Sequence, residues 1–191
     1  MSAFPEIQRF IETKDFAHII AFCQDIELKS EEQTRKYYPV YILSLLIQND
    51  IKNARLLWNR IPSELKAADA HLKPIWSLTK HIAQLNYPMI YKSLTGNYGT
   101  DLAPFIIHLK ETFQYRTFEL ISNSYSNISV NDCSVYLGIP TDHVLKYTES
   151  QGWTRDGNSL QPVPIKAKDS HVKSGNNLIH SLADFVLSLE K

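Results

Sequence analysis

The chain has 191 residues, 43% of them hydrophobic and 11% aromatic, with 20 Lys plus Arg set against 20 Asp plus Glu. That length and apolar content can bury a core of useful size and exclude disorder over most of the chain. Zero net charge excludes the broad positive field that draws proteins to phosphate backbones or anionic lipid regardless of sequence.

The first sixteen residues carry Glu6, Arg9, Glu12, Lys14 and Asp15 among their apolar positions, unlike the uninterrupted apolar stretch of a signal peptide. The longest apolar run, Val40 to Ile47, covers about two helical turns, well short of a membrane span. Two isolated cysteines, Cys23 and Cys133, make neither a disulfide framework nor a Cys-x-x-Cys pair. The expectation is a cytoplasmic and nuclear protein.

Residues 1–100 read as amphipathic helices in pairs, because apolar positions recur at three and four with polar turns between them. Turns fall at Asp15-Phe16, Asp50-Ile51 and Asn86-Tyr87, spaced by 35 and 36 residues. Each offers a side chain able to cap a helix start, then a large apolar residue, then Ile19, Ala54 or Ile90 facing the preceding helix. That period is close to the roughly 34 residues of a helical solenoid repeat. Core candidates are Tyr37, Tyr38, Tyr41, Leu45, Leu57, Trp58, Ile61, Ile75, Trp76, Leu78, Ile82 and Leu85. Pro62 should end a helix, leaving Ser63 to His71 as a loop or poorly packed segment.

Residues 101–165 follow a different grammar. Pro104 fits the first turn of a helix through Phe105, Leu109 and Phe113, and Phe118, Leu120, Ile121 and Tyr125 carry another. Ser129 caps a short helix that stops at Gly138; Thr141 caps a second, which Gly152 ends. Trp153 to Arg155 and Ser159 to Val163 read as strands of a hairpin turning at Asp156-Gly157-Asn158. Helices followed by a hairpin make a winged helix-turn-helix. Residues 166–177 form a linker, and over 178–191 Leu178, Leu182, Phe185, Val186 and Leu189 make the stripe of a last amphipathic helix.

A winged helix first suggests DNA, but between Ser129 and Pro164 only Lys146 and Arg155 stand against Asp132, Asp142, Glu149 and Asp156. Such a wing suits a protein partner better than a phosphate backbone. The seven histidines form no His-Glu-x-x-His, and none the His-x-His with a following Asp of a zinc isopeptidase. Gly96-Asn97-Tyr98-Gly99 lacks the Lys-Ser/Thr of a phosphate loop. No catalytic residue, metal, cofactor or small-molecule substrate is expected. The features left over are the hairpin edge, which could pair with a neighbouring strand, and the tethered apolar stripe.

A helical-repeat half, a winged helix and a C-terminal helix together resemble a PCI module, mainly α, the fold shared by subunits of the proteasome lid, the COP signalosome and translation initiation factor three. The segments that carry the resemblance are Asn53 to Pro62, Ile75-Trp76, Ile90-Tyr91, Ser124 to Ser129, Tyr136 to Ile139 and Gly152-Trp153. Ser124 stands where a small Ala is expected before Tyr125-Ser126. The Trp-Asn-Arg-Ile-Pro segment and the short length tilt the resemblance towards the signalosome, with the proteasome lid and the initiation factor, the latter with RNA contact, as the alternatives. It implies a non-catalytic scaffold that lines up with other PCI subunits, while a different subunit removes the ubiquitin-like modifier from cullins. The interaction residues expected on this reading are Trp153, Arg155 and Leu160 in the wing and Leu178, Leu182, Phe185 and Leu189 in the last helix.

Overall fold

The computed structural model describes residues 4–29 and 31–165. Its first helices are α1 (Gln8–Glu12), α2 (Phe16–Lys29), α3 (Glu31–Ile47) and α4 (Ile51–Arg60). They are followed by α5 (Ser63–Ala68), α6 (Leu72–Ala83) and α7 (Tyr87–Leu94).

The three expected turns share one backbone design. Lys14, Asn49 and Leu85 adopt the left-handed conformation, with φ of 56°, 62° and 54°. In each case that residue's N–H donates three residues back, at 3.1, 3.0 and 3.1 Å, and the next N–H donates five back, at 2.9, 2.8 and 3.1 Å. This is a Schellman closure, which satisfies helix-end carbonyls that would otherwise lack partners. The next side chain then caps the following helix. Asp15 accepts from the His18 N–H at 3.2 Å, Asp50 from the Asn53 N–H at 3.1 Å and Asn86 from the Met89 N–H at 3.4 Å. Four residues after each cap, Ile19, Ala54 and Ile90 have no exposed surface. Leu85, expected in the core, is instead 60% exposed, because its left-handed backbone belongs to the turn.

α3 lies at the centre of this half, packed against α2, α4, α6 and the later helix α8 (Gly99–Ser124). Its apolar residues surround the helix axis: Tyr37, Tyr38, Val40, Tyr41, Ile42, Leu43, Leu45, Leu46 and Ile47 are all buried. A helix apolar on every side must be covered on every side, which accounts for the run from Val40 to Ile47. The Pro62 segment departs from the expected loop. Pro62 stands at the N-cap position of the short α5, which has no buried residue and so is the poorly packed part of the segment.

α8 is one helix of 26 residues where two were expected, and Pro104 falls inside it rather than in its first turn. At 1.5 Å per residue it runs about 39 Å. Leu102, Phe105, Ile106 and Leu109 sit in the first core, whereas Phe118 and Ile121 sit in a second. Leu120 and Tyr125 face outward, at 55% and 41% exposure. The Arg116 guanidinium, half-buried at mid-helix, donates to the Ile47 carbonyl at the C-terminus of α3. There it meets the negative end of that helix's dipole.

The second core belongs to the winged helix: β1 (Ile128–Ser129), α9 (Val130–Leu137), α10 (Thr141–Ser150), β2 (Thr154–Asp156) and β3 (Ser159–Gln161). The Ser129 hydroxyl accepts from the Asp132 N–H at 3.0 Å, capping α9 as expected. The cap position of α10 is Pro140, one residue before Thr141. The sheet runs β1-β3-β2, with Ile128 opposite Leu160 and Arg155 opposite Leu160 on the other side, so β3 is the central strand.

The two cores interlock where Tyr91 of α7 meets the end of α9. Its hydroxyl donates to the Tyr136 carbonyl at 2.8 Å, and its ring lies so close to Gly138 that a Cβ there would stand 2.4 Å away. Gly138 also carries φ of 64°. Gly138→Ala is therefore expected to lose about 2 to 5 kcal/mol, from backbone strain plus overpacking. Gly152→Ala, with φ of 79° but open space around it, should lose only the backbone part, about 1 to 2 kcal/mol. Urea unfolding of both variants checks the difference.

Candidate interaction surface

The wing is built on the end of α10. Gly152 carries the chain through a positive φ of 79°, and the Trp153 N–H donates back to the Thr148 carbonyl at 3.0 Å. This turns the indole inward. It stacks on Phe118 of α8 at 4.9 Å between ring centroids and 14° between planes, leaving 5% of Trp153 exposed. Leu160, on the central strand, is 1% exposed. Both residues, expected at a contact with a neighbour, are core residues of the second cluster. The alternation along β3 and the inward turn after Gly152 put them there.

Arg155 does lie on the surface, as does the whole of β2. Its Nε donates to the Gly157 carbonyl at 2.8 Å, across the tip of the hairpin. The turn has positive φ at Gly157 (59°) and not at Asn158, the pattern of a type II′ turn. In a two-residue hairpin the closing pair, here Asp156 and Ser159, exchanges both main-chain bonds. The next pair does not, so the Arg155 N–H and C=O point away from β3, towards the open edge. β3 itself is closed on both sides by β1 and β2, so among the described residues the hairpin edge without a strand neighbour is that of β2.

A cleft of about 280 Å³ adjoins this domain, lined by Glu111, Gln114, Tyr115, Leu137, Ile139 and Tyr147. Gln114 fixes its floor by donating to the Leu137 carbonyl at 2.8 Å. Tyr115 and Tyr147 are 57% and 39% exposed, and Tyr147 also packs edge-on against Phe118 at 4.9 Å. Burial, with Tyr115 nearby, pushes the Tyr147 phenol up. The cleft draws its walls from α8, the α9–α10 turn and α10, so no local pattern announces it. The last described residue, Ile165, packs against the winged-helix core, so the chain leaves from that domain. Leu178, Leu182, Phe185 and Leu189 lie outside the described residues.

Two histidines lie flat on aromatic rings. His18 stacks on Phe10 at 5.5 Å with its Nδ1 2.6 Å from the Asp15 carboxylate, and His108 stacks on Phe16 at 4.8 Å. Burial, helped by Lys14, pushes the His108 imidazole down. Among the described residues no three His, Cys, Asp or Glu gather as a metal site would need, and no helix is long and apolar enough to cross a membrane. Burial pushes the Cys23 thiol up to about 12 and the Cys133 thiol up to about 11.

Trp153→Ala is expected to lower folding stability by about 3 to 5 kcal/mol in the isolated chain, the range for emptying a buried indole site, as read by urea unfolding. The thiols give a second expectation. In the native protein neither should react with Ellman's reagent near pH 8, and both should react once urea unfolds the chain. Because the folded state favours their protonated form, the stability they contribute is complete well below about pH 8.5, where free thiols are half ionised. It falls as pH rises towards 11 and 12. Unfolding midpoints across alkaline pH check the sign.

Several of the segments that carry the resemblance to PCI proteins prove to touch one another. Trp58 stacks on Trp76 at 4.7 Å, Tyr91 lies against Gly138, and Tyr125 meets Tyr136 at 6.5 Å between ring centroids, while Trp153 stacks on Phe118 outside those segments. The family model described as the CSN8/PSMD8/EIF3K family matches residues 32–173. A Dictyostelium discoideum protein named COP9 signalosome complex subunit 8 is 49% identical, over 99% of this chain and 98% of its own length. Proteins of the same name are 29% identical in Danio rerio, over 87% of this chain and 89% of theirs, and 23% identical in Arabidopsis thaliana, over 96% and 97%. With a family match across most of the chain, a near full-length relative at this identity and the helical-repeat and winged-helix architecture in place, the chain belongs to the CSN8/PSMD8/EIF3K family.

Proposed function

We propose that this chain is a non-catalytic assembly subunit of a signalosome, working in cytoplasm and nucleus, in a complex whose catalytic subunit is a different chain that removes the ubiquitin-like modifier from cullins. The relatives' name supports the signalosome over the proteasome lid or the initiation factor. The observation that carries the assembly role is the open edge of β2. Three exposed residues, with the Arg155 main chain directed outward, can accept a strand from a neighbouring PCI subunit. The wing's balance of two basic to four acidic residues between Ser129 and Pro164 supports a protein neighbour over nucleic acid.

The second attachment is the apolar stripe of Leu178, Leu182, Phe185 and Leu189, which enters a helical bundle with other subunits. That Ile165 packs against the winged-helix core supports an attachment of the stripe in the same region of the complex as the wing.

Co-expression with the neighbouring PCI subunits, followed by affinity purification, tests both attachments. Arg155→Pro removes an outward N–H at an edge position, where proline is tolerated, and should leave the chain folded while reducing its recovery with the complex. Thr154→Pro, at a position paired with Gln161, should damage the hairpin itself. Undiminished recovery of a folded Arg155→Pro chain would remove the wing from the proposal. A chain truncated after Ser174 should be lost from the complex; its full retention would remove the stripe.

A further inference from the structure

The neutral total conceals a strong polarisation. Residues 51–100 hold seven basic and two acidic side chains, whereas residues 1–50 hold five and eight and residues 101–191 hold eight and ten. α4 and α6 contain no Asp or Glu at all, but carry Lys52, Arg55, Arg60, Lys73 and Lys80. Arg60 is paired with Glu27 of α2 at 3.0 Å. The other four are exposed, and none is within ion-pair distance of a carboxylate among the described residues.

Between the two helices lies a cleft of about 410 Å³, lined by Arg55, Trp76, Thr79, Lys80, Ala83 and Gln84. Trp76 is held by its neighbour: its indole stacks on Trp58 at 4.7 Å and 3°, while Lys66 Nζ lies 5.1 Å from the Trp58 ring centre. The surface thus joins a fixed aromatic wall to cations without a carboxylate partner among the described residues.

We propose that the α4–α6 face is a docking surface for an acidic segment of a partner protein, which lays a bulky apolar side chain against Trp76 and its carboxylates beside Arg55 and Lys80. Charge complementarity supports an anionic occupant, since the lining holds two cations and no acid. The floor supports a peptide over a nucleotide. The Thr79 hydroxyl already donates to the Ile75 carbonyl at 2.9 Å, and Trp76 and Ala83 present carbon, so among the neutral lining residues Gln84 alone offers an amide to the polar edge of a base. This surface is separate from the wing, and it stands or falls independently of the strand-edge contact.

The test uses the full chain and a short synthetic peptide of Asp and Glu around one Phe, with binding read by calorimetry. Saturable binding is expected, weakened about tenfold or more by the surface double variant Arg55→Glu with Lys80→Glu, and similarly when the peptide's Phe becomes Ser. Lys110→Glu with Lys146→Glu, which alters net charge equally but elsewhere, should leave affinity unchanged. The proposal is overturned by absence of binding, by equal weakening in both double variants, or by insensitivity to the peptide's Phe. Preference for a uridine oligomer with a steep salt dependence would overturn it in favour of RNA.

Discussion

Tyr91 lies against Gly138 with no room for even one more carbon between them, and its hydroxyl is spent on the Tyr136 carbonyl. That contact locks the last repeat helix onto the first helix of the wing, and it is reinforced by a single continuous helix. α8 contributes Phe105 and Leu109 to one core and Phe118 and Ile121 to the other. Arg116, between these sets, is anchored to the end of α3, the helix on which the repeat half is assembled. A guanidinium half-removed from water is costly unless its donors are used, and the α3 terminus supplies carbonyl and dipole together. The position of the wing is therefore set by the repeat half through covalent continuity, a steric interlock and a charge-to-dipole contact.

The repeat itself depends on backbone hydrogen bonding more than on residue identity. The left-handed position that closes each turn holds Lys14, Asn49 and Leu85 in the three copies, with no glycine among them. Each costs roughly 1 to 2 kcal/mol in backbone strain, offset by the paired closure bonds and the cap that follows. Tolerance at that position explains why the period is faint as a sequence repeat. Its regular marks are the capping side chain and the small or branched residue four positions on, which must fit against the neighbouring helix.

In the wing, the aromatic residue with the clearest sequence signal belongs to the interior. Trp153 anchors the hairpin by stacking on α8, and Leu160 fills the space beneath the central strand. What the wing leaves exposed is a main-chain edge and a weakly acidic surface, a combination better suited to strand pairing than to phosphate binding. Charge is distributed by helix, with the cations gathered on α4 and α6 far along the sequence from the acidic wing. Zero net charge is thus a cancellation between a basic stretch and acidic ones on either side of it.

The periodic apolar positions, the caps at Asp15, Asp50 and Asn86, the Ser129 cap, the stop at Gly138 and the Asp156-Gly157-Asn158 turn were all legible in the sequence. Each depends on bonds or conformations within a few residues, where side-chain type alone dictates the geometry. The family was legible too, through segments that the fold brings into contact. Tertiary structure alone decided that α8 is unbroken, that β1 closes one side of β3, that Leu85 is exposed and that Trp153 and Leu160 face inward. It alone formed the Tyr115–Tyr147 cleft and the α4–α6 face. Those features arise where elements distant in sequence pack together, and local pattern is silent on which face of each element its neighbour will cover.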